Sequence, residues 1–94
     1  MKEFHLQNAA GLRLSVLDFG ATLTALEIPV NGTSLNVLLA CDPVDYPEQR
    51  AYLGSIVGRF ANRIGNARLE RDGQEWQIDA NEGTTCLHGG SHSL

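Results

Sequence analysis

Apolar residues in this chain recur at every second position, in short runs, and nowhere with the 3.6-residue period that lines one face of a helix. That pattern restricts the fold to sheets. Leu12-Arg13-Leu14-Ser15-Val16-Leu17 alternates until its last step, as a strand with one buried face does. Asp18-Phe19-Gly20 interrupts it, with Gly20 placed for a turn that a Cβ would resist. Alternation resumes over residues 21–28, which reads as a second strand through Leu23 and Ala25. Pro29 is expected to end that strand, Asn31-Gly32 to supply a tight turn, and residues 35–40 to run back as a third strand, so that 21–40 forms a β-hairpin. Residues 42–47, with Pro43 and Pro47, read as a loop in which Pro43 can open one helical turn. A second hairpin is expected around Arg71-Asp72-Gly73, with Leu69, Trp76 and Ile78 on one face. Residues 84–90 make a strand-like approach to the pair Gly89-Gly90. There is no internal repeat and no low-complexity tract. The expected class is all-β.

The bulk properties limit the partners. Ninety-four residues hold at most one domain. Eleven acidic against seven basic residues give a formal charge of −4. No Lys/Arg cluster is present to neutralise phosphates, so neither nucleic acid nor an anionic membrane is the expected partner. No apolar run approaches the length of a membrane span, and the chain reads as soluble. A neutral small molecule fits better. Met1-Lys2-Glu3-Phe4-His5 leads into no apolar targeting core, which makes the cytoplasm the expected compartment. Cys41 and Cys86 lack the spacing of a metal or redox pair and read as reduced structural thiols.

The segment 53–66 is the least ordinary. It sets Gly54, Gly58, Gly65, Arg59 and Arg63 among apolar residues, too rich in glycine for a helix and too polar for a core strand. Within Gly58-Arg59-Phe60-Ala61-Asn62-Arg63-Ile64, at least one guanidinium is expected to be carried inward, where it needs hydroxyl, carbonyl or carboxylate partners. An arginine fork can span adjacent hydroxyls of a sugar ring, and Asn62 beside it offers a donor and an acceptor. On a regular strand Asn62 and Arg63 would face opposite sides, so their joint use requires a bulge or turn, which Gly65 makes feasible. The competing reading is a structural ion-pair network of Arg59 and Arg63 with acidic neighbours.

The second motif is Leu87-His88-Gly89-Gly90. Glycines after a histidine let a ligand or another loop approach the imidazole, which can donate or accept. His5 and His92 read as structural. His88 and His92 do not have metal-ligand spacing on a helix, and no metal site is expected. The glycines form neither a phosphate loop nor a dinucleotide fingerprint, and Ser55, Ser91 and Ser93 have no nucleophile context.

Taken in order, Gly20-Ala21-Thr22-Leu23, Pro29, the run from Leu53 through Gly58-Arg59-Phe60-Ala61-Asn62-Arg63-Ile64, the hairpin from Leu69 to Ile78, Asn81-Glu82-Gly83 and Leu87-His88-Gly89-Gly90 resemble the aldose 1-epimerase (galactose mutarotase) family over nearly the whole chain. The resemblance implies an antiparallel β-sandwich of the galactose mutarotase-like supersandwich type, with residues 1–94 as the amino-terminal fragment of that single domain. It implies an isomerase of carbohydrate metabolism that interconverts the α and β anomers of aldohexoses such as galactose or glucose by acid/base ring opening, without a cofactor. By the family's pattern Asn62 and Arg63 contact substrate. His88 hydrogen-bonds the sugar near its ring oxygen or anomeric end, as an auxiliary catalytic group. The family's main acid and base lie past Leu94, so the fragment alone is expected to be inactive. The sequence departs from the pattern at Phe60, at Thr85-Cys86, and after Gly90, where His92-Ser93-Leu94 does not continue into the common Gly-Phe. A non-catalytic carbohydrate-binding β-sandwich is the alternative, and a purely structural β-domain a third. Strands made to pair with absent partners leave open edges, so the fragment is expected to associate with itself or with the remainder of the protein.

Overall fold

The computed structural model describes residues 1–93; Leu94, the last residue of the departure after Gly90, lies outside them. The described residues form eight strands and two single-turn 3-10 helices, which fall into two compact units, Met1–Ile56 and Val57–Leu94. All strand pairing is antiparallel.

The first unit is a four-stranded meander of β1 (Glu3–Gln7), β2 (Arg13–Leu17), β3 (Leu23–Val30) and β4 (Thr33–Asn36), in sequence order. Strand β1 was not foreseen. Phe4 and Leu6 alternate with polar residues as the pattern requires, but over too few positions to stand out. Opposed pairs share a face, so Phe4↔Val16, Leu6↔Leu14, Leu14↔Leu26 and Ile28↔Leu35 build one apolar face. The other face mixes polar residues with the buried Leu17, which lies opposite Glu3: His5 Nδ1 lies 2.9 Å from Ser15 Oγ, and Thr24 Oγ1 donates to Glu3 Oε1 at 2.6 Å.

Between Ser15↔Ala25 and Val16↔Leu23 the register slips by one residue, leaving Thr24 as the extra residue of a β-bulge. The bulge turns Thr24 to the polar face and lets Leu23 rejoin the apolar one, so the strict alternation expected across residues 21–28 is reset. Pro29 does not end β3, contrary to expectation. The Val30↔Thr33 pair closes a two-residue turn at Asn31 (φ 48) and Gly32 (φ 79), the type I′ geometry. Pro29↔Ser34 is then a non-hydrogen-bonded pair whose nitrogen faces away from β4, beyond the last β2 partner at Glu27, and no ladder donor is lost. The return strand stops at Asn36 rather than continuing to residue 40. The Asn36 Oδ1 accepts the N–H groups of Leu26 at 3.0 Å and Leu38 at 3.1 Å, while Val37 N–H still donates to Leu26 O at 2.9 Å, so that the side chain supplies one half of the next rung.

The small core of this unit centres on Leu17 and Tyr46, each 1% exposed. Tyr46 follows the 3-10 turn Pro43–Asp45, as Pro43 led one to expect, and its hydroxyl accepts the Cys41 N–H. Gly54 carries its carbonyl to the Leu23 N–H at 2.8 Å. At its φ of +62 a Cβ would lie 1.9 Å from Leu23 O.

The second unit holds β5 (Arg63–Ile64) paired with β8 (Cys86–Leu87), and the hairpin of β6 (Arg68–Arg71) with β7 (Gln74–Gln77). The hairpin is as expected, with Leu69 opposite Trp76, a turn at Asp72 (φ 51) and Gly73 (φ 77), and Ile78 N–H donating to Ala67 O. Ala67 and Cys86 are buried at 0% and 2% exposure. Cys41 and Cys86 are both free thiols. Among the described residues no helix is long and apolar enough to cross a membrane.

Gly54→Ala is expected to destabilise the chain by about 2–4 kcal/mol in chemical denaturation, combining a left-handed backbone with collision against Leu23. Gly32→Ala, with open space around its Cβ position, should cost only about 1 kcal/mol.

Candidate functional site

β5 and β8 are only two residues each, and the residues foreseen as functional flank or occupy them: Asn62 precedes Arg63 in β5, and His88 follows Leu87 in β8. The ladder ends in an altered rung. His88 N–H donates to Asn62 O at 3.0 Å, as an antiparallel pair requires. The return bond goes elsewhere: Asn62 N–H donates to Nδ1 of the His88 ring at 3.0 Å, in place of the His88 carbonyl. Asn62 (φ 65) and His88 (φ 50) both hold left-handed backbone, which costs an L-residue about 1 kcal/mol and gathers at functional sites. The break that lets Asn62 and Arg63 depart from strand alternation is therefore at Asn62 itself and not at Gly65.

The exchange sets the chemistry of the imidazole. With the Nδ1 lone pair directed at a backbone N–H, the proton of the neutral ring sits on Nε2, and His88 presents a donor there.

Arg63 is not carried inward. Its side chain is 57% exposed and forks onto Glu82, Nε to Oε1 at 2.5 Å and Nη2 to Oε2 at 3.1 Å. The expectation of a buried guanidinium in this segment fails, because Arg59 is exposed as well. The ion-pair reading holds for Arg63 and Glu82, a pair that leaves the arginine planar and oriented on an open surface. Glu82 was not singled out from sequence. Only the β5–β8 register, with Glu82 bridged to Thr85 by reciprocal backbone bonds of 3.0 and 2.9 Å, brings it opposite Arg63. The hydrogen bonds from Arg63 hold the Glu82 carboxyl below its ordinary value, aided by the charge of Arg63 and by His88.

Gly89 does not open space for a ligand. Its missing Cβ would stand 2.1 Å from Gly58 O, so the glycine admits the Gly58-Arg59 backbone. Behind it Asp79 accepts the Ser91 N–H, and hydrogen bonding from Ser91 lowers the Asp79 carboxyl. A depression of about 340 Å³ lies beside the site, lined by Gly58, Arg59, Phe60, Gly89, His92 and Ser93. It includes none of Asn62, Arg63 or His88.

The fold and site define an antiparallel all-β chain that displays an oriented imidazole, an asparagine and an arginine–glutamate fork at one short strand junction. The aldose 1-epimerase family profile matches residues 2–93, and the chain belongs to that family. It is 46% identical over 85 residues to the aldose 1-epimerase of Haemophilus influenzae, covering 90% of this chain and 25% of that protein. It is 37% identical over 92 residues to the galactose mutarotase of Bos taurus, covering 96% and 27%. A solved aldose epimerase homologue from C. elegans superposes with a TM-score of 0.86 at 37% identity, over 98% of this chain and 29% of that one. The galactose 1-epimerase of Lactobacillus acidophilus gives 0.76 at 35% identity, over 94% and 26%. The chain thus spans about a quarter of the length of the curated relatives it matches.

The Glu82 carboxyl should titrate below 4.5 when followed by carbonyl-carbon NMR, and Arg63→Ala should move it back up. Because the folded value is depressed, the stabilisation from this pair is full above the unfolded value. It is lost as pH falls through the folded one.

Proposed function

We propose that this chain is the amino-terminal part, residues 1–94, of one aldose 1-epimerase domain, and that it supplies the substrate-fixing side of a site for anomerising aldohexoses such as galactose or glucose. The single observation that carries the reading is the Asn62–His88 exchange, which aims an Nε2–H donor from the junction where Arg63 is oriented. In the reaction a base takes the C1 hydroxyl proton while an acid protonates the ring oxygen. The C1–O5 bond breaks, the aldehyde turns about C1–C2, and O5 closes on the other face with the two protons returned. Asn62 and Arg63 would hold hydroxyls, and His88 would donate toward the ring oxygen or anomeric end as an auxiliary group.

The base is not proposed among the carboxylates of this site. A general base works best with a pKa near the operating pH, whereas Glu82 and Asp79 are both pushed further into the acid range. That supports a base other than these two carboxylates. A reducing, cytoplasmic compartment accords with the free thiols Cys41 and Cys86.

Polarimetry of freshly dissolved α-glucose or α-galactose tests the reading. Acceleration is expected from the longest product of this reading frame and not from residues 1–94 alone. Arg63→Ala or His88→Ala in the longer product should lower it about 100-fold or more, the scale of removing a positioned donor. Sugar binding with no acceleration in the longer product would instead favour the non-catalytic carbohydrate-binding reading.

The apolar sheet face leaves Phe4 at 46%, Leu6 at 60% and Leu35 at 52% exposure, and we propose that it drives association of this chain with itself or with the rest of its domain. Sedimentation of residues 1–94 should show concentration-dependent self-association; a compact monomer at all concentrations would contradict it.

A further inference from the structure

Strand β8 has one partner strand and two edges. Hydrogen-bonded and non-hydrogen-bonded pairs alternate along an antiparallel ladder, and His88 N–H bonds to Asn62 O, so Arg63↔Leu87 is a non-bonded pair. The Leu87 N–H and C=O therefore face away from β5, toward where a third strand would lie. A side chain meets them there. Asn81 Oδ1 accepts the Leu87 N–H at 2.7 Å and Asn81 Nδ2 donates to Leu87 O at 2.9 Å, the same two bonds a strand residue would make.

The second of these bonds bears on the site. Leu87 C=O and His88 N–H belong to one planar peptide. Asn81 holds its carbonyl at 2.9 Å and Asn62 O holds its N–H at 3.0 Å, so the plane is gripped from both sides. The direction of the His88 Cα–Cβ bond follows from that plane together with the strained φ of 50. The direction in turn is what seats Nδ1 against the Asn62 N–H.

We propose that Asn81 is a positioning residue for His88: its amide stands in for an absent strand, fixes the Leu87–His88 peptide, and thereby keeps the imidazole docked on Asn62 in the Nε2–H form. The role is exerted through the backbone, and Asn81 need touch no substrate. An apolar residue of the same size would leave a backbone donor and acceptor unmatched, and aspartate would set an acceptor against the Leu87 carbonyl. Only an amide satisfies both groups. The inference rests on the functional reading of His88 given above, but its first readout does not.

The test uses Asn81→Ala and Asn81→Asp in residues 1–94 and in the longest product of the reading frame. Long-range 15N–1H spectra of the His88 ring report which nitrogen carries the proton. In the parent, Nδ1 should show the unprotonated signature and Nε2 the protonated one. In Asn81→Ala the Leu87 amide should exchange about tenfold faster, the effect of one ordinary hydrogen bond, and the His88 ring should pass into a mixture of tautomers. Asn81→Asp keeps the acceptor for the Leu87 N–H, so that amide should stay protected while the ring still becomes mixed; this variant carries the test if the alanine variant does not fold. In the longer product both variants should lower kcat for anomerisation about tenfold, with KM changed less.

A folded variant whose ring nitrogens keep the parent signature overturns the proposal, whatever its activity. A ring that responds in a longer product without mutarotase activity upholds the positioning role and removes the functional reading instead.

Discussion

The second unit depends on one exchange: Asn62 gives its backbone N–H to the side chain of His88 while accepting the backbone N–H of the same residue. Two-residue strands have too few rungs to fix a register on their own. The exchange adds a rung that is half backbone and half imidazole, and both participants adopt left-handed backbone to make it. A histidine so used is part of the ladder and at the same time a surface donor. Moving its ring would leave the Asn62 N–H without the acceptor it has here.

This arrangement explains why the guanidinium lies at the surface. Buried alone, Arg63 would incur a desolvation cost of several kcal/mol. Paired with Glu82 on an open surface, the cost is small and the plane of the fork is still set by two bonds. An exposed ion pair adds little stability, so its value lies in orientation. The same pairing favours the ionised form of Glu82 and makes it a weaker proton acceptor.

The elements that were legible in the sequence are those with local signals. Asn31-Gly32 and Asp72-Gly73 announced hairpin turns, and the shared face of Leu69 and Trp76 followed from period two on either side of the second. What escaped depends on partners distant in sequence. The bulge at Thr24 is required only because β3 must keep Leu23 on the face of Val16. Pro29 was read as a stop because its pairing phase, which leaves its nitrogen pointing away from β4, is not visible in composition. Asn81 enters the sequence reading only inside Asn81-Glu82-Gly83 and Asn36 only inside a strand, yet the Asn36 amide supplies one half of a ladder rung and the Asn81 amide both bonds of one. At the site, Asn62, Arg63 and His88 were named from motif and resemblance, and the structure brings them to one strand junction. Glu82 and the clamp by Asn81 become visible only once β8 is set beside β5.

The glycines that mark the site show the same division between shaping and touching. Gly89 follows His88 as though to admit a ligand, but the space is taken by the Gly58 carbonyl, and Gly90 leaves room for Asp79. Asp79 in turn accepts the Ser91 N–H and closes the turn. Close backbone approach here compensates for strands too short to hold one another, and it needs glycine at position 89. A signature of this kind therefore combines two requirements that sequence cannot separate. Arginine, asparagine and histidine offer polar groups at the surface. The glycines, Asn81 and Asp79 form the packing and hydrogen bonds that hold them in place.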